Sequence, residues 1–207
     1  DERAGVVHLT RPLLGKSHPI FITTRLRREV GNLRSSRRHR VVRGALQKGA
    51  ERFGFRLVHY SLQRDHLHFL AEAADTRALS RGMQGLGIRL ARALNRALGR
   101  RGPAVADRYH ARQLKTPLEV KRALVYVLNN GRKHALQRGE RWSPLLVDTY
   151  SSACHFQGWR SRVLLFGGGA GPPPVTVPAS CWLLCEGWRT HGLLDPAEVP
   201  SAAAFSR

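Results

Sequence analysis

The sequence predicts an α+β fold, an antiparallel sheet of ferredoxin-like type with helices packed on one face. Three observations carry that prediction. Apolar residues recur at helical spacing in separate stretches, β-branched alternation recurs in others, and the two patterns follow one another as β-α-β-β-α-β-α. A hairpin flanked by crossover helices closes into an antiparallel sheet with a helical layer against it.

The first strand is read from His18 to Leu26, where Ile20, Ile22, Thr23 and Thr24 give β-branched alternation. A helix is expected from Arg37 to Phe53, with Val41, Val42, Leu46 and Ala50 on one stripe and Gly54 as its stop. Phe55 to Leu62 and His66 to Glu72, separated by the polar Gln63-Arg64-Asp65, make a hairpin. Thr76 to Gly99 is the clearest helix, because Leu79, Met83, Leu86, Leu90, Leu94 and Leu98 step by three or four. Asp107 to Lys115 is expected to be a strand. Thr116 then caps a helix that starts at Pro117 and is expected to stop at Gly131, a residue that commonly ends helices.

Domain organisation follows from composition. Residues 1–17 read as a basic N-terminal arm, 18–141 as the main folded domain, and 142–207 as a C-terminal accessory region with a Gly/Pro linker at 167–174. No repeat of 20–50 residues is visible, which excludes solenoids and propellers.

The 207 residues carry 35 Lys+Arg against 14 Asp+Glu, a formal charge of +21. Such a charge repels itself in a compact chain, so a polyanionic partner is expected, nucleic acid ahead of an acidic membrane surface. With 42% hydrophobic residues the chain is no disordered basic tail. No apolar run approaches the roughly 20 residues that span a bilayer. The start, Asp1 to Gly5, lacks the build of a secretion signal, and three cysteines make no disulfide framework. A cytoplasmic, nucleoid-associated location is therefore expected, with no membrane partner.

Chemistry is concentrated in two places. His66 and His68 alternate on one strand, so both imidazoles face the same side and can reach one metal ion; the same spacing also suits two packed histidines. On the helix from Pro117, Tyr126 and Asn130 lie one turn apart, with Arg122 a turn before and Lys133 a turn after. That face offers a phenol, an amide oxygen and two cations, although Tyr126 could equally be core. Two neutral histidines and an amide oxygen would leave Mg²⁺ or Mn²⁺ its full double charge for polarising a phosphodiester. A phenol aimed at the phosphorus is then a nucleophile whose covalent product stores the energy of the broken bond.

Several separated motifs resemble the REP-associated tyrosine transposases, a branch of the HUH single-strand DNA transposases with a single catalytic tyrosine. They are His18-Pro19, Asp65-His66-Leu67-His68-Phe69 with Glu72, Leu79 to Leu86, Asp107-Arg108-Tyr109-His110, and Tyr126 to Asn130 with Lys133-His134. Asp148 to Ala153, Gly158-Trp159, Trp182-Leu183-Leu184 and Gly187-Trp188 resemble that family's tail. The resemblance implies the HUH nuclease fold, His66 and His68 as the metal pair, Tyr126 as the nucleophile, and Asn130 where relatives place a polar third ligand. It further implies cleavage and rejoining of single-stranded DNA beside REP-like palindromic hairpins, through a 5′-phosphotyrosine, by one chain or by a homodimer.

Basic residues complete the expected site. Arg89, Arg92 and Arg96 form a second stripe with Arg100 on the long helix, and Arg108, Arg112, Lys115, Arg122 and Lys133 follow; all but Arg100 are taken as nucleic-acid contacts. Arg34, Arg37, Arg38, Arg40 and Arg43, with Arg11 and Lys16 of the arm, are further candidates. Tyr109 is the rival nucleophile, and Tyr60 and Tyr150 read as packing. Cys181 and Cys185, with Cys154, are expected to be plain thiols rather than a zinc site. Two other functions remain open from sequence, a non-catalytic binder of structured DNA or RNA and a relaxase or replication-initiation nuclease.

Overall fold

The computed structural model describes residues 18–165 and 171–201; the expected arm, with Arg11 and Lys16, and residues 167–170 of the expected linker lie outside them. The central sheet contains β1 (Ile20–Arg25), β2 (Glu51–Arg52), β3 (Phe55–Leu62), β4 (His66–Ala73) and β5 (His110–Gln113). Its order is β2-β3-β4-β1-β5 and every pairing is antiparallel. The helices are α1 (Ser36–Gln47), α2 (Thr76–Leu98), α3 (Pro117–Gln137) and the short α4 (Trp182–Cys185). The α+β class and the antiparallel sheet are those expected.

One detail of the expectation is corrected. Helices cover both faces of the sheet, not one, because the strands are apolar on both sides. Ile20, Ile22, Leu57, Leu67 and Phe69 pack under α1 and α2. Phe21, Val58 and Leu70, which alternate with them, pack against Val120, Leu124 and Leu128 of α3. Two layers of core therefore sandwich the sheet, and the face under α3 is the one to which His66 and His68 belong.

Local signals fix the long helices. Asp75 caps α2 by accepting the Ala78 amide at 2.6 Å, and Gly99 closes it in the left-handed region at φ 63°. Gly82 lets α2 press onto β3, since a Cβ there would stand 2.3 Å from the Phe55 ring. Thr116 and Glu119 form a reciprocal capping box at the start of α3, with Pro117 in the first turn.

Three expected boundaries move. The first helix stops at Gln47 rather than Phe53, because the chain beyond it enters β2 at Glu51 and then turns into β3 through positive φ at Phe53 and Gly54. The strand expected over 107–115 is confined to His110–Gln113. Most consequentially, α3 runs through Gly131 to Gln137. That glycine is an approach point and not a stop: a Cβ at Gly131 would lie 2.1 Å from Asp148 Oδ2. The left-handed glycine that follows the helix is Gly139, at φ 75°.

The C-terminal region completes the core under α3. Arg132, 4% exposed, donates to the carbonyls of Trp142, Ser143, Pro144, Leu146 and Pro196, gathering two parts of the tail around one guanidinium. Asp148 accepts a bidentate pair from Arg34 at 2.8 and 2.9 Å. Glu72 of β4 accepts the amides of Ser180 and Cys181. Trp188 is 1% exposed within this core. Among the described residues no helix is long and apolar enough to cross a membrane.

Two outcomes test this packing. Gly131→Ala would gain helix propensity on an open surface, but here its methyl meets Asp148; the overpacking costs about 1–3 kcal/mol and lowers the thermal midpoint by about 2–12 °C. A raised midpoint would mean that Asp148 does not press on this position. Burial holds the His39 imidazole at a pKa of about 4, with the Arg43 charge adding to it, and burial holds His59 at about 4. The unfolded chain protonates these rings near pH ~6.5, so stability is full above that value and falls as pH drops towards 4. Denaturant unfolding across that interval checks the sign, and stability rising on acidification would contradict it.

Candidate active site

Strand alternation points His66 and His68 at α3 from the start of β4. Cross-strand register places Arg25 opposite His66 and Thr23 opposite His68. These neighbours fix the rings. Thr23 Oγ1 lies 3.0 Å from His68 Nδ1, and Asp65 Oδ1 lies 2.7 Å from His66 Nδ1. Each imidazole is thus held through Nδ1, which leaves Nε2 as the atom offered to the site. The rings stand 4.7 Å apart, centroid to centroid.

His68 is 3% exposed, and its Nε2 is buried without a hydrogen-bond partner. Its pKa is lowered to about 3, chiefly by burial and further by the charges of His66, His134 and Lys133. The ring is therefore neutral, the form that can donate a lone pair. Phe21 stacks on it at 5.6 Å.

Tyr126 completes a three-ring cluster. Its ring meets His68 edge-on at 5.0 Å and Phe21 edge-on at 5.6 Å, so the tyrosine stands against the second histidine of the pair. Burial raises its pKa, and the Lys133 ammonium sits 5.7 Å from its ring centroid. One turn along the helix, Asn130 is 1% exposed with neither its Oδ1 nor its Nδ2 hydrogen-bonded. A buried amide and a buried imidazole nitrogen left without partners cost about 1–3 kcal/mol each, a cost that a bound ligand removes. The candidate donors are one imidazole pair and, one helix turn from Tyr126, one amide oxygen, a set of the kind that suits a hard divalent cation retaining waters. Among the described residues no three His, Cys, Asp or Glu are grouped to hold a metal, and Cys154, Cys181 and Cys185 are free thiols.

The structure thus brings His66, His68, Tyr126 and Lys133 together, with Asn130 on the same helix. It does not bring the arginine stripe to them. Arg89, Arg92 and Arg96 ride on α2, across the sheet; Arg92 and Arg96 are exposed, while Arg89 bonds to the Gly85 carbonyl. Arg112, Lys115 and Arg122 are exposed near the start of α3, where Glu119 pairs with Arg112 at 2.8 Å. Arg108 is exposed just before β5. Of the second basic cluster, Arg34, Arg38 and Arg43 are spent on the fold, bonded to Asp148, to the Val30 carbonyl and to the Tyr60 hydroxyl respectively. Tyr109 packs against the core under α1 and α2, away from the histidines. Tyr60 is buried, and Tyr150 lies between Arg34 and His39, each 4.5 Å from its ring.

Residues that sequence reasoning missed are the ones defined by register. Thr23 and Phe21 gain their roles only from the β1–β4 pairing. Asp65 was visible beside His66, but nothing in the sequence tells which ring nitrogen it holds.

The model of the family described as IS200-like transposases matches residues 15–127, a stretch that contains the histidine pair and Tyr126 and ends before Asn130. Among solved structures, one described as a REP-associated tyrosine transposase bound to a REP hairpin is 16% identical, with a TM-score of 0.50, over 62% of this chain and 74% of its own. At that identity the likeness is one of fold. Another, a candidate transposase from Deinococcus radiodurans R1, is 13% identical with a TM-score of 0.41, over 69% of this chain and 99% of its own. No curated protein matches the chain.

Proposed function

Because the chain belongs to the IS200-like transposase family, we propose that it is a metal-dependent single-strand DNA endonuclease and strand transferase, acting at REP-like hairpins through a covalent phosphotyrosine on Tyr126. The observation that carries this reading is the contact of the Tyr126 ring with His68, whose Nε2 is buried and unpartnered. His66, His68 and Asn130 are the proposed ligands of Mg²⁺ or Mn²⁺. Bound there, the ion would offset charge on the non-bridging oxygens of the phosphodiester.

The residues then divide the work. Tyr126 Oη attacks phosphorus, the Tyr–O–P bond forms, the P–O3′ bond breaks, and the 3′ oxygen leaves as a hydroxyl after gaining a proton. Burial keeps the phenol protonated near neutral pH, so its proton must leave as it attacks; the Lys133 ammonium, 5.7 Å from the ring centroid, is proposed to stabilise the charge that develops. A 3′-hydroxyl from another end attacks the phosphotyrosine, restoring the phenol and joining the strands without ATP. Thr23 and Asp65 keep the imidazoles oriented throughout. Arg108, Arg112, Lys115 and Arg122 are proposed to hold backbone phosphates on the site side, and Arg89, Arg92 and Arg96 to hold DNA that wraps to the α2 layer. Residues 18–141 are the proposed catalytic domain and 142–207 its accessory region.

A labelled hairpin oligonucleotide with flanking single strands, incubated with Mn²⁺ and run on a denaturing gel, tests the chemistry. The expected product is a covalent protein–DNA band, lost with EDTA, reduced at least about a thousandfold by Tyr126→Phe and retained by Tyr109→Phe. Binding without any such band would favour the non-catalytic binder. Metal affinity is a separate measurement: Thr23→Val, which frees the His68 ring, is expected to weaken Mn²⁺ binding about 10- to 100-fold by electron paramagnetic resonance titration. An unchanged dissociation constant would show that the Thr23 contact does not orient a metal-ligating His68.

A further inference from the structure

We propose that the arginine rim at the His66 end of the sheet is a binding site for the phosphates of single-stranded DNA, the strand that leads away from the phosphodiester at Tyr126; this rests on the transposase reading above. Three chain segments meet there, the exit of β1, the β3–β4 turn and the stretch before β5. Backbone hydrogen bonds stitch them together: Leu26 N–H to the Asp65 carbonyl at 2.7 Å, and Arg27 N–H to Ala104, Ala106 N–H to Arg25 and Leu33 N–H to Arg64, each at 2.9 Å. Leu26, Val30, Leu33 and Ala104 are buried beneath, none more than 2% exposed.

Above this fixed backbone Arg25, Arg27, Arg28, Arg64, Arg101 and Arg108 are all exposed. The acids alongside are Glu29, Asp65 and Asp107. Asp65 is engaged by His66 and Arg25, and Asp107 accepts the Arg108 amide. Positive charge therefore predominates on a surface whose backbone is already ordered, and an arginine fork matches phosphate oxygens. Arg25 is the register partner of His66, so the rim begins beside the histidine pair. A strand continuous with the reacting phosphodiester passes onto it directly.

The test measures binding of the full chain to a hairpin oligonucleotide with a single-stranded tail and to the same hairpin blunt, by fluorescence anisotropy over a range of salt. Arg27→Ala/Arg28→Ala/Arg64→Ala is expected to weaken binding of the tailed hairpin at least tenfold at low salt. Its slope of log affinity against log salt should fall by about two, at ~0.7 for each phosphate no longer neutralised, with the blunt hairpin unaffected. The corresponding triple lysine variant should keep the slope. Arg138→Ala/Arg160→Ala, which removes exposed arginines paired with Glu140 and Asp195, should change neither hairpin. If the triple alanine variant melts early, Arg28→Ala and Arg64→Ala are read singly, each expected to lower the slope by about 0.7. An unchanged slope on the tailed hairpin overturns the proposal, as does equal weakening of both hairpins, which would make the rim a duplex surface. Tyr126→Phe should bind with the parent slope, so a rim effect without any covalent band refutes strand transfer alone and leaves the rim standing.

Discussion

The fold is organised around a buried imidazole with one ring nitrogen left unmatched. His68 packs against both Phe21 and Tyr126, its Nδ1 at hydrogen-bonding distance from Thr23 and its Nε2 without a partner. With Asn130 equally unsatisfied one helix turn beyond Tyr126, the interior carries a local cost of a few kcal/mol. Such a cost persists only where surrounding structure over-determines it. Here the surroundings are an apolar layer on each face of one sheet, and the layer under α3 holds the His68 and Tyr126 rings in contact.

Alternation along β1 and β4 separates the two layers. Even-numbered residues of β1, Ile20 and Ile22, build the core under α1 and α2, while Phe21 and Thr23 face α3 and serve the site. A one-residue slip of β1 against β4 would exchange these roles and break the Thr23–His68 contact along with the core. Packing and chemistry are therefore specified by the same register. The tail contributes in the same sense: Asp148, held by Arg34, abuts Gly131, one residue from Asn130, and Arg132 draws the neighbouring tail carbonyls around the next position of α3. Displacing the tail would displace the helix that carries Tyr126.

Much of this was legible in the residues themselves. The spacing His66-Leu67-His68, the capping signals at Thr116 and Pro117, and the one-turn offset of Tyr126 and Asn130 are local, and local patterns survive folding. What was not legible is what depends on pairing. Gly131 reads as a helix stop because glycine often is one, whereas its role here is set by a carboxylate seventeen positions away in sequence. Helices on both faces follow from Phe21 and Leu70 being apolar on the side opposite Ile20 and Leu67, a pattern that reads as noise until the sheet is assembled. Arg34 and Arg43 look like solvated charge in a basic run; only their partners, Asp148 and Tyr60, show that they hold the core.

The most direct measurement of the central geometry is an anomalous difference map from crystals of the protein soaked in Mn²⁺. A single peak bounded by His66 Nε2, His68 Nε2 and Asn130 Oδ1, with the Tyr126 hydroxyl facing the same space, is the expected result. A peak elsewhere, or a Tyr126 side chain directed away from the imidazole pair when the ion is bound, would contradict it.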